Sequence, residues 1–217
     1  MHTIEDMTRY LMGGVVVLLI AAAGAFFFTY HLTPGDTGAA AISAVAPALT
    51  PEVEAVIARY AARLSEIVDD PLVQSATMAA NTEHARLSES DIKKADDAWQ
   101  GAGENDVFIA GIIANNVSVR LREFAGRHTA FKEVFIADSY GLNVGQTDRT
   151  SDYYQADEAW WQNGYNKGVG KVGHGAIEFD TSAQSESIAI YVPVMREGRA
   201  IGVIKAILDL SAIKAEL

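Results

Sequence analysis

Asp157 and Glu158 stand side by side in the stretch Ser151–Gln162, SDYYQADEAWWQ, together with Asp152 and four large aromatics, Tyr153, Tyr154, Trp160 and Trp161. Two carboxylates can share acid–base work only when they converge on one point. Neighbouring positions of a helix point apart, so this pair makes no dyad. The histidines are scattered at His2, His31, His84, His128 and His174 with no i, i+4 pair, and there is no Cys, so no metal set is visible. The glycine-rich run Gly164–Gly175, GYNKGVGKVGHG, has neither the Walker spacing nor the dinucleotide fingerprint. No serine sits on a strand–turn–helix elbow. These residues argue against an enzyme and imply no metal and no cofactor. Binding remains: the four aromatics offer broad apolar faces with polar tips.

At helical spacing Tyr153, Ala156 and Trp160 line one face and Tyr154, Asp157 and Trp161 the next, with Asp152, Gln155, Glu158 and Gln162 on the polar side. Ser151 is a suitable N-cap, and Gly164 and Gly168 suit a helix stop. A helix this short needs a surface to lie on. The flanking segments read as strands, so the expectation is an aromatic lid across a sheet. The glycine-rich run is expected to be a flexible loop at the rim, which brings His174 beside it.

The order of segments carries a family resemblance. FKEVFIAD, the turn SYG, LNVGQT and TSDYYQADEAWWQ are followed by the glycine-rich loop, GAIEFD, SIAIYVPV, the turn REGR and AIGVIKAILDL. This series resembles the extracytoplasmic Cache domain, or PDC sensor domain, of microbial receptors, over residues 51–217. The resemblance implies an α+β fold with a long N-terminal helix behind an antiparallel sheet. It implies a small-molecule ligand between sheet and lid, walled by Tyr153, Tyr154, Trp160 and Trp161. Asp180 would meet a ligand amine, Arg149 a carboxylate, and Tyr191 would point in from a nearby strand. Amino-acid-binding members carry an Arg just before the Trp-aromatic pair. Here Asp157-Glu158-Ala159 stands in that place, which speaks against a carboxylate clamp.

The rest of the chain must hold this unit in place. Residues 1–9 form a polar head, and Tyr10–Tyr30 runs 21 residues without a charge, enough to span a bilayer. A cleaved signal peptide ending at Ala23-Gly24-Ala25 is the rival reading, but the head carries only Arg9 against Glu5 and Asp6. Arg9 flanks the span and no Lys or Arg follows before Arg59, which puts the N-terminus in the cytoplasm and the domain in the periplasm of a bacterial inner membrane. Residues 31–49, rich in Ala, Gly and Pro, form a tether or a frayed extension of the span. Residues 50–217 form the domain.

Thr50-Pro51-Glu52 starts a helix with Val53, Val56, Ile57, Tyr60, Leu64, Ile67 and Val68 on one stripe, up to Asp70-Pro71. The stripe 53–68 is open to two uses, a homodimer seam or the back of the domain's own sheet. A second helix opens at Pro71 and runs to Ala80, residues 81–90 read as a loop, and Asp91–Trp99 as a short helix. Asn105 suits the cap of a helix reaching Arg127, in which Asn115 and Asn116 mark a bend or bond to a loop. Ser211 suits the cap of a last helix, 212–217.

The 217 residues carry 17 basic and 28 acidic side chains, a net charge of −11, which excludes nucleic acid and an anionic membrane surface as partners. Cache receptors continue after their last strand into a second span and an output domain, whereas this sequence reaches Leu217 soon after Leu210. The leading expectation is therefore an accessory subunit held to a membrane protein complex by its anchor and outer domain. The alternative is a small-molecule-binding sensor domain of a signal-transduction system, either truncated here or acting through a partner.

Overall fold

The computed structural model describes residues 49–103, 106–180 and 185–217, with the side chain of residue 180 left out. The head, the apolar run Tyr10–Tyr30, nearly all of the tether, Asn105 and the Asp180 side chain lie outside the described residues. Among the described residues no helix is long and apolar enough to cross a membrane.

Short polar residues at helix starts divide the first half of the domain. Thr50 caps α1 (Pro51–Arg63), which passes through Leu64 into α2 (Ser65–Val68). Asp70 caps α3 (Pro71–His84), with Pro71 in the first turn, where a missing N–H costs nothing. Ser88 and Asp91 form a capping box at the start of α4 (Glu89–Gly101). The segment expected to be a loop, 81–90, is thus helical at both ends. Asp106, not Asn105, caps α5 (Val107–Ala114), its carboxylate accepting from Phe108 and Ile109 N–H at 2.9 and 3.3 Å. The single helix expected up to Arg127 is broken at Asn115, which caps α6 (Asn116–Arg127). Its side chain accepts from Ser118 N–H at 2.8 Å and donates to the Val144 carbonyl at 2.8 Å. The break is therefore fixed by a bond to the sheet.

The sheet contains β1 (Phe131–Asp138), β2 (Asn143–Gln146), β3 (Gly173–Asp180), β4 (Ser185–Arg196) and β5 (Arg199–Asp209). Their spatial order is β2-β1-β5-β4-β3, and every pairing is antiparallel. Glu197 and Gly198, with φ of 51° and 78°, form the tight β4–β5 turn. Asp209, not Ser211, caps α8 (Leu210–Lys214), because its carboxylate accepts from Ser211 N–H at 2.8 Å.

The main core lies between one face of the sheet and the helices. Val56, Ile57, Tyr60, Leu64, Ile67 and Val68 are buried there with Val134, Ile136, Ile190, Ile204 and Leu208. The stripe 53–68 is thus spent on the chain's own sheet. A homodimer seam along these side chains is ruled out, since they have no surface left to offer.

Candidate functional site

The other face of the sheet carries the lid. Phe135 and Ala137 of β1 stand opposite Lys205 and Val203 of β5, and Tyr191 of β4 stands opposite Lys205 from the other side. Over them lies α7 (Ala159–Tyr165), whose Trp160 and Trp161 are buried against Phe135, Ala137, Tyr191 and Val203. Gly164 permits this approach, since a Cβ there would stand 2.7 Å from a Val203 methyl and 3.1 Å from the Tyr191 ring. The Trp161 indole N–H donates to the Asp138 carbonyl at 3.1 Å, and its ring stacks on Tyr165 at 4.7 Å. Trp160 meets Phe135 edge-on at 5.4 Å.

Lys205 is the cation of this layer. Its Nζ lies 5.2 Å from the centre of the Trp160 ring and 5.6 Å from that of Phe135. It forms no ion-pair contact with a carboxylate among the described residues. Burial pulls its ammonium below the usual lysine range, while Glu133, Glu158, Glu178 and Asp152 act in the opposite sense. Burial also pushes the carboxyls of Glu133, Asp152 and Glu158 above their usual range.

Polar atoms without partners occur on the same face of the sheet. Among the described residues, the buried side-chain polar atoms lacking a hydrogen bond are Asn143 Oδ1, Gln146 Nε2 and Trp160 Nε1. Asn143 stands opposite Ala137 and Gln146 opposite Phe135, so both side chains share the lid face with Trp160. A buried polar atom left unpaired costs about 1–3 kcal/mol, a cost that a bound polar group would relieve. Two surface cavities, about 400 and 290 Å³, lie elsewhere, one beside Tyr60 and Glu216 and one between α3 and the β4–β5 turn.

The structure brings together only part of the expected site. Trp160, Trp161 and Tyr191 do converge under the lid. Tyr153 does not: it is buried with Trp99, Ile109 and Leu142 in a separate cluster. The helix expected from Ser151 begins only at Ala159. Residues 153–155 instead run beside the β1–β2 turn, with Tyr154 bridged to Leu142, and the Gln155 and Asn143 N–H groups donating to the Gly141 and Tyr153 carbonyls. Asp96 of α4 holds this extended course, its carboxylate accepting from Tyr153 and Tyr154 N–H at 2.8 and 3.0 Å. Two tertiary bonds and a bridge thus override the helical pattern.

Arg149 is engaged elsewhere. Its guanidinium donates to the Trp99 and Ala102 carbonyls at the C-terminal end of α4 and lies over the Trp99 ring. That placement removes it as a carboxylate clamp. His174 is on the helical face of the sheet, opposite Ile190, with Nε2 3.1 Å from Glu54 of α1. It does not border the lid layer. The backbone at Asp180 pairs with Ser185 at the end of β3.

Sequence reasoning missed Lys205, Glu133, Asn143 and Gln146. One signal was available: Lys205 is the lone charge in VIKAIL, at the alternate position to Val203 and Ile207. Asn143 and Gln146 carried no signal, since a β-bulge between their pairing partners turns both to one face.

Solved structures similar to this chain include the ligand-binding domain of the Campylobacter jejuni chemoreceptor Tlp3 in complex with 4-methylisoleucine. That pair is 17% identical with a TM-score of 0.37, over 77% of this chain and 64% of that one. The ligand-binding domain of the Pseudomonas aeruginosa amino acid chemoreceptor PctC, in complex with GABA, is 14% identical with a TM-score of 0.38, over 72% and 63%. The sensor domain of the V. cholerae histidine kinase DctB is 19% identical with a TM-score of 0.35, over 76% and 60%. The structural neighbours are Cache-type sensor domains. The chain spans less than two thirds of the length of each of these three. No protein-family model matches the chain, and no curated protein matches it.

Proposed function

We propose that residues 50–217 form a non-catalytic, extracytoplasmic ligand-binding domain of sensor type, carried on the apolar run Tyr10–Tyr30 and relaying to a membrane signalling partner. The observation that carries this reading is that three buried, unpaired polar atoms belong to the face of the sheet that bears the lid: Asn143 Oδ1 and Gln146 Nε2 on β2 and Trp160 Nε1 on the lid itself. Two are donors and one is an acceptor, so the complementary molecule is small and polar and offers both kinds of partner. The charges that act on Lys205 there are Glu133, Glu158, Glu178 and Asp152, which add a preference for a cationic nitrogen. A zwitterion of the amino acid class meets these demands, with its carboxylate toward the two N–H donors. No feature of the described residues favours the accessory-subunit reading in its place.

The test is a thermal-shift screen of amino acids and small amines on the full chain in mild detergent. A ligand at one hundred times its dissociation constant stabilises by about 2.7 kcal/mol, which is about 5–10 °C for a domain of this size. Gln146→Met, which removes one donor at similar volume, should weaken the hit about tenfold, the cost of one hydrogen bond. A screen without any hit at millimolar concentration sinks the reading, and so does a hit that Gln146→Met leaves unchanged.

A further inference from the structure

Lys205 sits where its strand would otherwise be apolar, between Ile204 and Ala206 and two places from Val203 and Ile207. A half-buried ammonium is costly unless its surroundings replace water. Here two rings do so, Trp160 at 5.2 Å and Phe135 at 5.6 Å, both within the range at which an aromatic face attracts a cation. The acidic groups acting on it come from three separate elements: Glu133 from β1, Glu178 from β3, and Asp152 and Glu158 from the segment leading into α7. Aromatic faces backed by several carboxylates are the equipment of a site for organic cations. The lysine reaches this site from within the same chain.

We propose that Phe135, Trp160 and the surrounding carboxylates form a seat for a primary ammonium group, and that Lys205 fills it as a tethered occupant that a ligand's ammonium displaces. The displacement rests on the sensor reading; the seat itself does not. In this arrangement Trp160 belongs both to the seat and to the lid. An incoming ammonium that expels Lys205 therefore acts on α7 directly. The seat also accounts for the lack of an ion pair at Lys205 among the described residues: the two rings, at 5.2 and 5.6 Å, face the ammonium in place of a carboxylate.

The experiment is chemical rescue. Lys205→Ala in the full chain, in mild detergent, empties the seat while leaving its walls. Propylammonium at about 100 mM reports dissociation constants in the millimolar range through mass action. Lys205→Ala is expected to melt lower than the wild type and to recover in propylammonium, whereas the wild type does not move. Equal ionic strength of sodium chloride, and propanol as an uncharged molecule of the same shape, should give no recovery. The proposal is overturned if propylammonium has no effect, if propanol rescues as well, or if the wild type rises equally. Should Lys205→Ala not fold on expression, its refolding yield with and without propylammonium makes the same decision. Rescue together with an empty ligand screen would keep the seat and remove the sensor; a screen hit without rescue would do the reverse.

Discussion

His84 Nδ1 lies 2.7 Å from Asp138 Oδ2, and the Asp138 side chain is fully buried. The same carboxylate accepts through Oδ1 from Tyr140 and Leu142 N–H at 2.9 and 3.0 Å. The backbone carbonyl of Asp138 receives the Trp161 indole N–H. One aspartate thus ties the end of α3, the β1–β2 turn and the lid together. Removing one partner of a buried pair leaves the other without compensation. Asp138→Ala leaves the His84 ring and two turn N–H groups without this acceptor, and at about 1–3 kcal/mol for each buried group left unpaired it should lower unfolding stability by at least about 3 kcal/mol, read from urea denaturation. A loss below about 1 kcal/mol, the range of exposed pairs, would show that the pair does not organise this corner.

Leu64 is wholly buried where α1 passes into α2, within the core that covers the sheet. Leu64→Ala removes its contacts and leaves a cavity, and should cost about 2–5 kcal/mol. The same measurement tests the use of the stripe. If the stripe paired two copies, the cost would depend on protein concentration; packed on its own sheet, the domain should lose the same stability at every concentration.

The sequence made the periodic parts of the fold legible and left the tertiary choices hidden. Alternation and turn chemistry marked β1, β4 and β5, and Thr50 and Pro71 marked two helix starts, because these signals are local; that Asp70 caps the second helix is visible only in the structure. The failures arose where a distant group decided. Tyr153 and Trp160 have helical spacing, yet Asp96, more than fifty residues earlier, holds Tyr153 in an extended course. Arg149 reads as a free cation until α4 presents its last carbonyls to it. Within the candidate site, Trp160 and Trp161 stand out as large aromatics and Tyr191 is indicated by the family resemblance, and the three share one cluster. Asn143 and Gln146 were not, since ordinary polar residues on a short strand become notable only once burial leaves them unpaired.

Arg149 gives a contrast between structural and binding roles. Its guanidinium donates to two carbonyls at the end of α4, that of Trp99 in the last turn and that of the cap residue Ala102, and so reaches the favourable end of that helix dipole. Arg149→Gln should lower stability by about 1–3 kcal/mol, the range for hydrogen bonds to a charged group with allowance for partial exposure. It should leave the affinity for any screen hit unchanged. Loss of affinity without loss of stability would return Arg149 to the binding site.

Glu133 supplies a pH dependence of defined sign. Burial pushes its carboxyl above the ordinary value of 4.5; Lys205 opposes this and Asp148 adds to it. The folded chain therefore holds this proton more tightly than the unfolded chain does. The stability linked to it is fully present below the unfolded value and is lost as pH rises through the higher folded value. Glu133→Gln keeps a neutral side chain of the same size at every pH. The stability of Glu133→Gln relative to wild type should therefore be flat below about pH 4, climb through the carboxylate range and level off once Glu133 is ionised in the folded state. Urea midpoints of the two proteins between about pH 4 and pH 8 measure this difference over the range where the carboxyl ionises. A difference that shrinks as pH rises would mean that the attraction of Lys205 outweighs burial. Glu133 would then be a stabilising partner of that lysine, and its ionised form would favour the folded state.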